Sequence, residues 1–136
     1  MNGQLYLDSI KMTLATSSIV KCIDIVQERI FDMSGFIRIR VRLINDDFME
    51  LMEFFRIQND QAETVEYRYQ WMDSEKSMLR KRWDNAAHYP ELPNFPHHVH
   101  VGDDGQVQAG QAMGIVSLID LIEQNKEINL LPYKSW

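Results

Sequence analysis

The most regular pattern in the chain lies between residues 36 and 44, where Ile37, Ile39, Val41 and Leu43 alternate with Arg38, Arg40 and Arg42. A period of two sets the aliphatic side chains on one face of a strand and the three guanidinium groups on the other. A looser alternation runs through residues 48–57, with Met49, Leu51, Phe55 and Ile57 against Glu50 and Arg56. It returns in 64–72, with Val65, Tyr67, Tyr69 and Trp71 against Glu66, Arg68 and Gln70, and in 78–84, where Leu79 and Trp83 stand beside Arg80 and Arg82. Residues 19–31 are rich in Ile and Val, which favours a strand, and their imperfect alternation predicts a bulge. Turn-forming runs separate these segments: Asp32-Met33-Ser34-Gly35, Asn45-Asp46-Asp47, Asn59-Asp60-Gln61 and Asp73-Ser74-Glu75-Lys76. Connections this short join antiparallel neighbours, so the expected topology is a meander of four to five strands.

The period changes at both ends of the chain. Leu5, Ile10, Met12 and Leu14, with polar residues between them, predict a helix over 2–16 that Thr16-Ser17-Ser18 interrupts. Met113, Val116, Ile119, Leu121 and Ile122, with Asp120 and Glu123 outside, predict a second helix over 113–125. Both helices are expected on the aliphatic face of the sheet, giving an α+β two-layer domain over residues 1–136. The apolar tail around Leu130, Leu131, Tyr133 and Trp136 is expected to dock on the body or on a partner, and it hints at a homodimer.

Size and composition narrow the classes. A chain of 136 residues suits one domain and buries roughly 68% of its unfolded surface, enough for a core without disulfides. A single cysteine, Cys22, excludes an intramolecular disulfide, and its apolar strand context predicts a buried thiol. The N-terminus carries no basic, apolar leader pattern, and no apolar run approaches the roughly 20 residues of a membrane span. A cytoplasmic protein without membrane association is therefore expected. The net charge of −6 argues against broad non-specific nucleic-acid binding, while leaving room for a local basic face.

The candidate chemistry is concentrated in one segment. All four histidines, His88, His97, His98 and His100, lie here, close to Asp84-Asn85 and among Pro90, Pro93 and Pro96. Prolines restrict themselves and the residues before them, so the segment is expected to hold one shape. In an extended segment His98 and His100 share a face and His97 takes the other. Two imidazoles at this spacing can share a metal ion, with His88 or Asp84 completing the set. Alternatively they transfer protons in RNA cleavage, one taking the 2′-hydroxyl proton and another protonating the leaving oxygen, with an arginine on the phosphate. Asp84 and Asn85 can orient an imidazole, and Arg80 and Arg82 are the candidate phosphate-binding residues. A third reading makes the histidine loop structural. Glu50, Glu66 and Asp84 fall on the same polar face as the arginines, where cross-strand pairing is expected.

Asp84-Asn85-Ala86-Ala87-His88 followed by Phe95-Pro96-His97-His98-Val99-His100-Val101-Gly102 resembles the TumE family of small prokaryotic toxin components. Upstream, Arg38-Ile39-Arg40-Val41-Arg42, Glu53-Phe54-Phe55, Tyr67-Arg68-Tyr69-Gln70-Trp71 and Arg82-Trp83-Asp84-Asn85 agree with the family pattern, so the resemblance runs over about residues 19–124. The chain departs from that pattern at Val99, where Lys is frequent, and at Asp47, where Gly is common. The resemblance implies the toxin partner of a toxin–antitoxin pair, with a cognate antitoxin and possibly RNA as partners. On this reading His98 and His100 carry acid–base or metal chemistry, a divalent ion being the one cofactor in view. His88, His97, Asp84 and Asn85 assist, and Arg80 or Arg82 binds phosphate. The competing readings are a non-enzymatic interaction module and a metal-dependent hydrolase.

Overall fold

In a computed structural model, which describes residues 1–125, the elements are α1 (Gly3–Thr16), β1 (Val20–Ile30), β2 (Ser34–Leu43), β3 (Phe48–Gln58), β4 (Gln61–Met72), β5 (Leu79–Asp84), β6 (His98–Val101), β7 (Gln106–Ala109) and α2 (Ile115–Asn125). The seven strands form one antiparallel sheet in chain order, β1 through β7. The fold is α+β and a meander, as the short connections require. The expected four to five strands become seven because β6 and β7 are four-residue strands (His98–Val101 and Gln106–Ala109). β6 pairs onto β5, with Trp83 opposite Val99 and Asp84 opposite His98, and β7 pairs onto β6, with His100 opposite Val107. The tail from residue 126, including Leu130 and Trp136, lies outside the described residues.

Alternation decides which face each strand buries. Ile37, Ile39, Val41 and Leu43 of β2, Met49, Leu51 and Phe55 of β3, and Tyr67, Tyr69 and Trp71 of β4 all point into the core. Leu7, Ile10 and Leu14 of α1, spaced three and four apart, pack there with Ile115, Leu118, Ile119 and Ile122 of α2. Leu5 and Met12 lie on the outer side of α1. The Asn2 side chain caps α1 by accepting from the Leu5 N–H at 2.9 Å. Gly35 is required by contact: a Cβ there would lie 2.4 Å from Phe55 Cζ.

β1 departs from the expectation. It is an edge strand with register shifts at Val20/Cys22 and Ile25/Gln27, and its residues are mostly exposed. Cys22 is therefore exposed and not a core thiol. Ile25, Val26 and Ile30 are likewise exposed.

A buried carboxylate ties the layers together. Glu53, wholly inaccessible, accepts from Ile115 N at 2.9 Å, Thr64 Oγ1 at 2.9 Å, Tyr69 Oη at 3.2 Å and Tyr6 Oη. It thus supplies an acceptor at the N-terminus of α2 and links that helix to α1 and β4.

Candidate active site

The polar face of the sheet collects the arginines that alternation assigns to it. Arg38 and Arg40 share Glu50, at 3.1 and 3.2 Å, in the expected cross-strand manner. Arg42 instead donates to the carbonyls of Asp46 and Ser74. Arg80 leaves this face. The β4–β5 register slips between Trp71 and Met72, and the Arg80 guanidinium binds the buried Asp47 at 2.6 and 3.2 Å. Asp47 also accepts from Trp71 Nε1 at 3.0 Å, so Arg80 is held in a structural network away from the histidines.

Pairing of β5 with β6 sets Asp84 opposite His98 and Arg82 opposite His100. The side chains meet on the polar face. His98 Nε2 lies 2.9 Å from Asp84 Oδ1, and His100 Nε2 lies 3.7 Å from Asp84 Oδ2. Arg82 Nε reaches the same Oδ2 at 3.4 Å, and Ala86 N donates to Oδ1 at 3.1 Å. The two imidazoles meet edge to face, with centroids 4.9 Å apart. His98 is 1% exposed and Asp84 9% by side chain, so the pair is sealed, whereas His100 at 14% reaches the surface.

The fixed points around this cluster are backbone features. His98 Nδ1 is 2.9 Å from Pro96 O. A carbonyl only accepts, so Nδ1 carries the hydrogen. Gly110 passes directly behind: its N–H donates to His97 O at 3.1 Å, and a Cβ there would lie 3.0 Å from His98 N. Asn85 extends the sheet edge with its side chain, accepting from Tyr67 N at 3.1 Å and donating to Val65 O at 2.9 Å.

His97 points to the opposite face, as alternation predicts. Its ring stacks on Tyr67, and Nδ1 lies 2.9 Å from Tyr67 Oη. Burial, with His98 adding to it, holds His97 below its ordinary range. It does not join the cluster. His88 does line the same cavity, its ring centroid 6.5 Å from that of His98. Burial first, then Arg82, also lowers His100, with Asp84 opposing, which favours the neutral ring.

The cluster opens into a cavity of about 510 Å³ bordered by Met52, Glu66, Arg68, Arg82, His88, Tyr89 and His100. Tyr89 is a member that no sequence motif singles out. It has φ +61°, a conformation unusual for a non-glycine residue, and its ring lies 5.1 Å from that of His98 and 5.9 Å from that of His100. Arg68 takes the place expected of Arg80. Asp84, His98 and His100 each offer an atom within 4.8 Å of the others, a separation at which they could hold one metal ion. A cavity of this size with convergent charged groups suits a small charged moiety.

A family model described as Toxin TumE matches residues 10–126. No curated protein and no solved structure matches the chain. Among the described residues, no helix is long and apolar enough to cross a membrane.

Proposed function

The chain belongs to the TumE toxin family, and from that premise we propose that it is a cytoplasmic enzyme that cleaves RNA in the cavity beside Asp84, His98 and His100. Family membership makes it the toxin component of a toxin–antitoxin pair, with an antitoxin as partner. The observation that carries the enzymatic reading is one convergence. A sealed Asp84–His98 pair, a more accessible His100 and a separate His88 surround a cavity that Arg68 and Arg82 also enter.

In this reading Arg68 and Arg82 hold the phosphate and oppose the charge that develops on it. The 2′-hydroxyl oxygen bonds to phosphorus while its proton passes to the Asp84–His98–His100 cluster. The bond from phosphorus to the 5′-oxygen breaks, and that oxygen takes a proton from His88. The products are a 2′,3′-cyclic phosphate and a 5′-hydroxyl end. His88 stands apart from the cluster, which is the separation that proton removal on one side and donation on the other requires. Tyr89, with its ring at the cavity wall, offers a surface for a base.

The test is induced expression in bacteria of the wild type, His100→Ala and Asp84→Asn at matched soluble levels, paired with incubation of purified protein with single-stranded RNA. Growth arrest and cleavage by the wild type, both lost in the variants, are expected. Growth arrest that survives both substitutions would remove the cluster from the activity. An arrest with intact RNA would remove the substrate assignment and leave a toxin acting through another target.

A further inference from the structure

We infer that Asp84, His98 and His100 form a binding site for a single first-row transition-metal ion, of which Zn²⁺ is the best fit. The inference rests on the same site as the proposed RNA cleavage and names the cofactor that site would use.

The first observation is an orphaned nitrogen. His98 Nε2 is buried and has no hydrogen-bond partner among the described residues, although Asp84 Oδ1 is only 2.9 Å away. At that distance an unmade hydrogen bond means poor direction: the oxygen lies off the Nε2 axis. Since Nδ1 donates to Pro96 O, Nε2 is the nitrogen that the ring turns toward the cluster. A buried imidazole nitrogen left without a hydrogen-bond partner beside a carboxylate is unfavourable for the two groups alone. An electrophile between them removes the conflict. The Nδ1 bond to a backbone carbonyl is also the outer contact that fixes tautomer and ring orientation in histidines that ligate metals.

The second observation is spacing. Two donors each about 2.1 Å from one ion stand about 3.0 Å apart at a right angle and about 3.4 Å apart in a tetrahedron. His98 Nε2 stands 2.9 Å from Asp84 Oδ1 and His100 Nε2 stands 3.7 Å from Oδ2, so an ion between the two imidazoles would meet the carboxylate through one oxygen each, and one atom from each of the three residues lies within 4.8 Å of the others. Asp84 is held by Ala86 N, so its oxygens are pinned before any ion arrives. His100 borders the cavity, which leaves the remaining coordination position on the side where a substrate would enter.

The donor set selects the ion. Two imidazoles and one carboxylate suit Zn²⁺ or its first-row neighbours, whereas Mg²⁺ and Ca²⁺ favour oxygen ligands. Arg82, 3.4 Å from Asp84 Oδ2, further disfavours an ion held by charge alone. A bound ion would occupy the lone pairs that otherwise accept the 2′-hydroxyl proton, and would supply Lewis-acid activation at the cavity in their place.

The test uses the purified full chain, stripped with chelator and dialysed, without RNA. Titration with Zn²⁺ by calorimetry, with metal content measured after gel filtration, is expected to give one ion per chain, and Mg²⁺ none. Co²⁺ is expected to give visible absorption of a low-coordinate site with nitrogen ligands. His100→Gln and Asp84→Asn should each weaken Zn²⁺ by at least about 100-fold, the upper end of what loss of even an outer partner costs. His97→Ala, on the other face, should leave binding unchanged. Circular dichroism verifies the fold, and His100→Gln, nearer the surface, serves if Asp84→Asn does not fold. Absence of stoichiometric uptake, or uptake that survives His100→Gln or falls with His97→Ala, would overturn the site. RNA cleavage in excess chelator would sink the metal while sparing the RNA reading. Zn²⁺ binding without RNA cleavage would do the reverse.

Discussion

Glu53→Ala gives the most direct check on how this architecture is held. The wild-type carboxylate has four donors, and they differ in what its loss leaves behind. Tyr69 Oη keeps a second acceptor, Met113 O at 3.0 Å, and is not orphaned. Tyr6 and Thr64 are half-buried, so water can restore part of their bonding. The Ile115 N–H is sealed at the start of α2 and loses its acceptor, which costs about 1–3 kcal/mol. With about 1 kcal/mol each for Tyr6 and Thr64, and some relief from no longer desolvating a carboxylate, the net loss is about 3 kcal/mol. Glu53→Gln keeps the shape and one acceptor, and hydroxyls can rotate to accept from its amide, so about 1 kcal/mol is expected. Urea unfolding followed by fluorescence of the buried Trp71 and Trp83 reads both, with the urea dependence unchanged. The pH dependence adds a sign. Burial, outweighing the hydrogen bonds, raises Glu53 above its ordinary 4.5. Its stabilising contribution is therefore full below 4.5 and is lost as pH rises through the folded value. The disadvantage of Glu53→Gln should shrink over that same rise. An alanine variant within about 1 kcal/mol of wild type, or a glutamine variant as unstable as alanine, would refute this account of Glu53.

Three further outcomes follow from the same geometry. Arg80→Ala should lower stability by about 2 kcal/mol in urea unfolding, because buried Asp47 keeps only the Trp71 bond, while RNA cleavage per folded molecule stays unchanged. His88→Gln, at an exposed position, should reduce cleavage by about 10²-fold or more with little change in unfolding midpoint, as loss of a proton donor does. His97 is depressed below its ordinary 6.5, so its contribution is present above 6.5 and is lost as pH falls from there toward its folded value. Wild type should accordingly lose more stability than His97→Gln between neutral pH and pH about 5, measured by thermal unfolding.

What the sequence discloses here depends on the range of the interaction that fixes each residue. The faces of β2 and β4 were legible because a period of two needs no knowledge of the partner, and the same rule separates His97 from His98 and His100. The α2 stripe was legible in part for the equivalent helical reason: Ile119 and Ile122 are buried as expected, Val116 and Leu121 only partly, and the buried Ile115 was not among the expected positions. β6 and β7 were not, since each has only four residues and becomes a strand by pairing, β6 with β5 and β7 with β6. Arg80 follows the alternation in the sequence, yet the register shift opposite Trp71 and Met72 turns it to Asp47. Cys22 and Ile25 read as core residues by type, and their exposure is a consequence of edge position and two bulges. Glu53 carried a usable signal, an acidic residue among Met49, Leu51, Phe55 and Ile57 on buried positions, whereas its donors from α1, β4 and α2 lie up to 62 positions away.

The site follows the same division. The i, i+2 spacing of His98 and His100 supplied their common face, and Asp84 stood out as the acid of the Asp84-Asn85-Ala86-Ala87-His88 motif. That these three meet is a matter of register: antiparallel pairing of β5 with β6 must set Asp84 opposite His98, and a slip of one residue would present Trp83 or Asn85 there instead. The register in turn rests on contacts remote from any chemistry, namely Gly110 passing His98 without a Cβ and Asn85 bridging to Val65 and Tyr67. Substituting Gly110 with alanine would therefore act on the cluster through the backbone of His97 and His98, although Gly110 itself carries no functional group. In this fold the histidine run supplies the imidazoles, but the meander's pairing register decides that His98 and His100 face one carboxylate together.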